Sequence, residues 1–169
     1  MRSVADDRSL VEAAQAIIDS NLYMTLATAD AGGRPWPTPV YFAPVQYREF
    51  VWVSSPEARH SQNLAARPDI GIVVFDSRVP INRGQAVYMS AVAELVPDVD
   101  LDRCLAVFSR SCQDRGGDPW SRDDVGAAAR LRLYRARATA QWVLDSHDQR
   151  IPVPLGLGFQ PVEDGPIGE

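Results

Sequence analysis

The chain has 169 residues, with a hydrophobic fraction of 46% and a charged fraction of 23%, values that are ordinary for a globular protein and suit one domain rather than two. Its net charge of −5 argues against general nucleic-acid binding, which usually requires a basic excess. No signal-peptide pattern and no apolar run of membrane-spanning length occur, so we expect a cytoplasmic protein without a membrane partner.

The first elements of the chain are predicted to be a helix and a strand. Residues 9–20 have an apolar face at helical spacing, and Ser9 with Glu12 has the spacing of a capping box, so we expect a helix capped by Ser9. The residues from Leu22 to Thr28 alternate in the manner of a strand. Residues 30–33 (Asp-Ala-Gly-Gly) predict a turn after this strand.

A second extended run covers residues 35–42 and contains three alternating prolines, Pro35, Pro37 and Pro39. Proline cannot donate a ladder hydrogen bond, so we expect one side of this strand to be unpaired or to face something other than a strand. Residues 50–53 predict a third strand that forms a hairpin with the second.

A helix is predicted to begin immediately after the third strand. Ser55 can cap it, Pro56 suits its first position, and Glu57 stands three residues after Ser54. The helix is expected to end near Arg67, because the proline that follows disfavours helical geometry in the residue before it.

The remainder of the chain predicts three more strands and one more helix. The strands are residues 70–75, 85–96 and 131–144, and the helix is marked by Leu101, Leu105, Phe108 and Cys112. Cys104 and Cys112 would lie about 12 Å apart along this helix, too far for a disulfide, so we expect reduced thiols. Short connections between the first strands require antiparallel pairing.

These elements predict a mainly β fold of the α+β class, a six-stranded antiparallel β-barrel with covering helices. We expect residues 1–154 to form a single domain and residues 155–169, rich in proline and glycine, to form a C-terminal tail.

The usual catalytic and metal-binding patterns are absent from the sequence. The two histidines, His60 and His147, have no metal-ligand spacing to a cysteine or to each other, so no metal site is predicted. No residue stands out as a general acid or base, and the catalytic residues stay unknown.

An anion site is the remaining candidate. A helix N-terminus exposes free N–H groups, to which Ser54 and Ser55 add hydroxyl groups and Arg59 a guanidinium. The alternative is a plain capped helix with a surface arginine. A second cluster, formed by Arg130, Arg132, Arg135 and Arg137, is either a solvated strand face or another anion site.

The residues from Val53 to Leu64 (Val-Ser-Ser-Pro-Glu-Ala-Arg-His-Ser-Gln-Asn-Leu), followed by Arg67-Pro68, resemble the pyridoxamine-phosphate-oxidase-like split-barrel family. The resemblance implies a split barrel that holds flavin mononucleotide (FMN) at the interface of a homodimer. It assigns Ser54 and Arg59 to the flavin phosphate. His60 stands where the family usually has lysine, which would weaken the fixed charge and make binding depend on pH.

The same resemblance assigns further residues to the flavin ring. Residues 37–42 resemble the strand that contacts the ring in this family, which would place Pro37, Thr38, Pro39 and Val40 at the cofactor. Gln85 matches a glutamine that often contacts flavin, and Trp142 matches a tryptophan near the cofactor, although packing in the core would explain Trp142 equally well.

Two departures concern the substrate. Phe42 replaces a lysine that pyridoxamine-phosphate oxidases use on their substrate, and residues 147–150 lack their Arg-x-His element, so oxidation of pyridoxamine phosphate is not expected. The resemblance therefore implies an FMN-dependent oxidoreductase with an unidentified small-molecule substrate. The alternatives are a deazaflavin-dependent reductase, whose cofactor the arginine cluster could bind, a flavin- or haem-binding protein without turnover, and a barrel without cofactor.

Overall fold

The computed structural model describes residues 4–81, 83–145 and 147–155. Its helices are α1 (Val4–Asp19), α2 (Arg59–Ala66), α3 (Asp98–Asp114) and α4 (Arg122–Val125). Its strands are β1 (Tyr23–Ala29), β2 (Pro35–Tyr41), β3 (Ala43–Val45), β4 (Glu49–Ser54), β5 (Asp69–Phe75), β6 (Ala86–Leu95), β7 (Arg132–Leu144) and β8 (Arg150–Val153). Apart from Leu155, the predicted tail lies outside the described residues.

The eight strands form one antiparallel sheet in the order β2-β1-β5-β6-β7-β4-β3, with β8 added beside β7. The two ends of this order, β2 and β3, are consecutive in the chain and are separated only by Phe42, so the sheet curls back on itself. The predicted mainly β split barrel with covering helices is therefore confirmed.

The strand count differs from the predicted six for two reasons. The predicted second strand ends at Tyr41, and a short strand that was not predicted, β3, follows Phe42, whose side chain is only 2% exposed and belongs to the core. The predicted hairpin between the second and third strands is therefore wrong, because β2 pairs with β1 and the short β3 forms the hairpin with β4. The other addition is β8, which pairs with the end of β7.

The unpaired side predicted for the proline-rich strand is confirmed. Within the described sheet, β2 stands at one end of the order and pairs with β1 alone, with Leu26 opposite Thr38 and Ala27 opposite Pro37. The prolines of β2 thus occupy a strand edge, where a missing N–H costs no ladder hydrogen bond.

Two apolar clusters cover the two faces of the strands. Phe50 and Trp52 of β4 pack with α1 residues such as Ile18 in the larger cluster. Val51, between them on the same strand, packs with Leu105 of α3 in the other cluster, as the alternation of side chains along a strand requires. The predicted third helix is confirmed as α3, and both of its cysteines are free thiols.

The first helix begins earlier than the sequence predicts. It starts at Val4, so Ser9 lies inside α1 rather than at its cap, and Asp6 and Asp7 occupy the first turn, where carboxylates favour the helix dipole. Among the described residues, no helix combines the length and apolar character needed to cross a lipid bilayer.

Candidate functional site

The connection from β4 to α2 is a turn rather than the first turn of a helix. Ser55 closes this turn, because its Oγ accepts a hydrogen bond from the Glu57 N–H (3.2 Å) and its carbonyl accepts one from the Ala58 N–H (3.1 Å). The helix begins at Arg59 with Ala58 as N-cap and without a side-chain cap. The predictions that Ser55 caps this helix and that Pro56 is its first residue are therefore wrong: the local turn satisfies these groups instead.

Ser54 and His60 are joined directly across this turn. Ser54 ends β4, and its Oγ lies 2.7 Å from Nε2 of His60. His60 is only 5% exposed, and this burial lowers the pKa of its imidazole below the usual value of 6.5. His60 is therefore neutral at pH 7 in the free protein and supplies no fixed positive charge.

Arg59, the first residue of α2, has an exposed guanidinium. Its guanidinium carbon lies 4.3 Å from the ring centre of Trp36 on β2, a cation–π contact that holds an exposed side chain above the strand. Arg59 forms no ion pair with any residue that the structure describes. Its charge is therefore free to meet an anionic ligand.

The buried face of α2 is anchored by a polar network that the sequence analysis did not identify. Asn63 Nδ2 donates to Thr28 Oγ1 (2.9 Å), and this hydroxyl donates to the carbonyl of Trp36 (3.0 Å). Two further hydroxyl oxygens, Thr38 Oγ1 and Ser61 Oγ, are buried without a hydrogen-bond partner. The network fixes α2 on β1 and β2, and it leaves hydroxyl groups unsatisfied beside it.

The β2 residues assigned to the flavin ring face two directions. Pro37 and Pro39 are exposed, whereas Val40 is buried in the core and Thr38 is half-buried. Pro39 also lines a groove of about 350 Å³ beside Tyr23 and Phe75, two aromatic residues that are unusually exposed.

Gln85 and Trp142 lie far from Ser54 within the chain. Ser54 is opposite Arg132 at the start of β7, and Trp142 is ten residues further along that strand. At a rise of about 3.3 Å per residue, this places Trp142 roughly 30 Å further along the strand. Gln85 precedes β6 at the same distant end, where Val87 pairs with Val143. One copy of the chain therefore does not bring these two residues to the start of α2.

The members of the arginine cluster differ in their burial and in their partners. Arg135 is 3% exposed and reaches Glu94 (2.7 Å) and Asp100 (2.8 Å), while Arg137 reaches Glu49 (3.2 Å). Both cations are paired with carboxylates, so neither is a free anion site; Arg135 is buried, whereas Arg137 is 55% exposed, as a solvated strand face predicts.

Arg132, another member of the predicted cluster, has a different role that the sequence analysis missed. It stands opposite Ser54 in the sheet, and its guanidinium donates to the carbonyls of Ala127, Ala129 and Leu131. Its cross-strand position depends on strand register, which the sequence did not supply.

Comparison with known proteins places this geometry in context. The sequence pattern of the family described as pyridoxamine 5'-phosphate oxidase matches residues 10–139. No curated protein matches the sequence significantly.

Among solved structures, the chain is similar to a heme binding protein from Mycobacterium smegmatis, with a TM-score of 0.70 and 19% identity over 92% of this chain. It spans 60% of the length of that protein. It is also similar to HutZ, the heme storage protein from Vibrio cholerae, with a TM-score of 0.61 and 23% identity over 76% of this chain and 90% of HutZ. An F420 reductase gives a TM-score of 0.51 and 22% identity, covering 71% of this chain and 88% of the reductase.

At these identities the solved structures establish the fold alone. The family pattern, however, covers most of the chain, including β1 to β6, α2, α3 and the residues at the start of α2. This chain belongs to the pyridoxamine 5'-phosphate oxidase family.

Proposed function

We propose that this protein is a cytoplasmic FMN-dependent oxidoreductase that holds the flavin phosphate at the start of α2. The observation that carries the proposal is the exposed guanidinium of Arg59, which has no carboxylate partner among the described residues and belongs to the first residue of α2, next in sequence to the His60 that is bonded to Ser54. A cation in this position fits a phosphate, because the arginine fork and the first N–H groups of a helix both donate to phosphate oxygens.

The neighbouring hydroxyl groups fit the same ligand. Ser54 and Ser55 stand on either side of the point where β4 ends. The Ser55 hydroxyl uses a lone pair within the turn, so its hydrogen stays available to a ligand. Thr38 Oγ1 is a further group without a partner, and a bound polar group would satisfy it.

The flavin ring would lie along the unpaired side of β2, next to Pro37, Thr38, Pro39 and Val40. When bound, FMN would supply the electron-transfer chemistry, while the residues of this chain bind it, orient it and limit its contact with water. The groove between Pro39, Tyr23 and Phe75 would admit a small-molecule substrate beside the ring. Phe42 lies in the core, which supports a substrate other than pyridoxamine phosphate.

A homodimer would complete the site. Gln85 and Trp142 are too distant to share a cofactor with Ser54 of the same chain, but they could reach a flavin held by a second copy. This arrangement makes the interface part of the cofactor site rather than a separate feature.

Haem binding without turnover is the second candidate, because two proteins of similar fold are described as binding or storing heme. His60 is bonded to Ser54, so His147, which is exposed, would be the available histidine ligand. A deazaflavin cofactor, suggested by the F420 reductase, would lack the arginines that we expected to bind its longer anionic tail, since Arg135 and Arg137 are paired with carboxylates.

The test is a titration of the purified protein with FMN, followed by absorbance and by flavin fluorescence, with the variants Arg59→Ala and Arg110→Ala. Arg110 is an exposed arginine of α3 and serves as the matched control. Loss of a charge-assisted bond of about 1.5–3 kcal/mol would weaken binding roughly 10- to 100-fold in Arg59→Ala. The control variant should bind as the wild type does.

Failure of the wild type to bind FMN at micromolar concentration would contradict the proposal, and titrations with haem and a deazaflavin would follow. The dimer is tested by mixing Arg59→Ala with Trp142→Ala subunits. A mixed dimer has one site built from unaltered residues of both copies, so half of its sites should regain wild-type affinity. No recovery would contradict a shared site.

A further inference from the structure

We propose that anion binding at the start of α2 requires proton uptake by His60, which then turns the Ser54 hydroxyl toward the ligand. The inference rests on the proposed phosphate site and adds a positioning residue to it. Its basis is the 2.7 Å contact between Ser54 Oγ and the Nε2 atom of a nearly buried imidazole.

The direction of this hydrogen bond decides whether the Ser54 hydroxyl can donate a hydrogen bond to a ligand. A serine hydroxyl has one hydrogen and a neutral imidazole has one N–H. If Nε2 carries no proton, Ser54 donates to the ring and only its lone pairs face a ligand, which would repel a phosphate oxygen. If Nε2 is protonated, the ring donates to Ser54, and the serine hydrogen becomes free to bind the phosphate.

In this proposal the imidazolium form of His60 is favoured only when an anion is bound beside it. Burial alone lowers the pKa of His60 in the free protein, so the ring is neutral there. A bound phosphate would place negative charge one hydroxyl away and would stabilise the imidazolium. The proton that enters with the ligand would therefore replace the missing fixed cation at this position.

The charged groups around α2 do not stabilise the protonated His60 ring, so in this proposal the ligand stabilises it. The helix α2 packs against β1, β2 and β6 and is bonded to β4 through Ser54. Besides His60, the titratable and charged groups on these elements are Tyr23, Tyr41, Glu49, Arg59, Tyr88 and Glu94, and those that flank them include Asp30, Arg34, Arg48, Glu57, Arg67, Asp69 and Arg132. Glu49 and Glu94 are paired with arginines, and Arg132 and Arg67 donate to backbone carbonyls. No described carboxylate contacts His60.

The expected signature is affinity for FMN that falls as pH rises. Uptake of one proton on binding changes the dissociation constant by about tenfold per pH unit above the pKa of the free histidine. The measurement is made between about pH 7 and pH 9, where the phosphate is already a dianion because its second pKa is about 6.

Three proteins are compared: the wild type, His60→Gln and His60→Lys. Glutamine keeps a hydrogen-bonding group but takes up no proton, so His60→Gln should bind FMN weakly and without the pH dependence. Lysine, with a usual pKa of about 10.4, carries a fixed charge and should restore tight binding that varies little over this range. Calorimetry in buffers of different ionisation enthalpy should count about one proton taken up by the wild type and none by His60→Gln.

A second measurement needs no variant. The ring signals of His60 in the nuclear magnetic resonance spectrum are titrated with and without inorganic phosphate, with His147 as internal reference. Phosphate should raise the pKa of His60 and leave that of His147 unchanged. Riboflavin, which lacks the phosphate, should bind without proton uptake.

The outcomes separate this inference from the proposed function. FMN binding that is equally tight across the pH range in the wild type and in His60→Gln would overturn the inference and leave the phosphate site intact, since the neutral Nε2–H tautomer would then suffice. A His60 pKa that does not respond to bound phosphate would also overturn it. Absence of FMN binding by the wild type at every pH would remove the proposed function itself.

Discussion

Two charged regions of this molecule differ in how their polar groups are satisfied. In the first, which we call the ion cluster, Arg103, Arg135 and Arg137 meet Glu49, Glu94 and Asp100, so three cations face three carboxylates. At the start of α2, by contrast, the Arg59 guanidinium rests on an aromatic ring, and the Thr38 hydroxyl has no partner. The charges of the first region hold strands and helices together, whereas the Arg59 guanidinium has no carboxylate partner in the part of the chain that the structure describes.

The largest expected effect is on the ion cluster. Arg135→Met leaves Glu49 and Asp100 without their most buried cation and should lower the free energy of unfolding by about 3–5 kcal/mol, as breaking a buried ion pair does. Urea unfolding measures the loss. Arg137→Met is the matched control: this arginine is 55% exposed and should cost no more than about 1 kcal/mol. Equal losses of unfolding free energy in the two variants would contradict the distinction between the buried Arg135 and the exposed Arg137.

A smaller effect is expected from pH, and it concerns the start of α2. Because burial lowers the pKa of His60, the unfolded chain binds a proton that the folded chain resists, so stability falls as pH drops below about 6.5 toward the folded-state pKa. Unfolding free energies measured from neutral pH downward should decline less in His60→Gln than in the wild type. Identical slopes would show that His60 is not buried in its neutral form.

The smallest expected effect on stability is at Thr38, whose buried hydroxyl has no hydrogen-bond partner. Thr38→Val replaces a buried oxygen that has no partner with a methyl group, so it should leave stability unchanged or raise it by up to about 1 kcal/mol. The same variant should weaken FMN binding if Thr38 donates to the cofactor. Thr28→Val is the control, because its hydroxyl is bonded at both Asn63 and Trp36 and should cost stability. A loss of similar size in both variants would contradict the contrast between the two hydroxyls.

Sequence periodicity predicted much of the fold because most elements carry a local signal. The prolines of β2 predicted an unpaired edge, and the apolar spacing of α3 predicted a helix; both are confirmed. The strand β3 has only three residues, one of them Pro44, and is formed through its pairing with β4. The strand β8 has only four residues, one of them Pro152, and is formed through its pairing with β7.

The candidate site was predictable at the level of the motif but not of its contacts. Ser54 and Arg59 could be named from the helix-start pattern, and His60 through the family resemblance; in the structure Ser54 is bonded to His60, and Arg59 is the first residue of α2. The burial of His60 and the neutralisation of Arg135 depend on partners far away in sequence, such as Glu94. The local charge pattern therefore allowed an anion site at the arginine cluster where Arg135 is in fact paired with carboxylates. It also gave no sign that the Thr38 hydroxyl lacks a hydrogen-bond partner.

The proline-rich strand β2 also bears on how two copies of the chain could meet. An exposed sheet edge normally offers alternating N–H and C=O groups, and another strand can add to it and extend the sheet. Pro35, Pro37 and Pro39 remove the donors from this edge, so a second copy cannot continue the sheet across it. The alternating prolines that leave this edge without hydrogen-bond donors therefore also protect it from strand-to-strand aggregation.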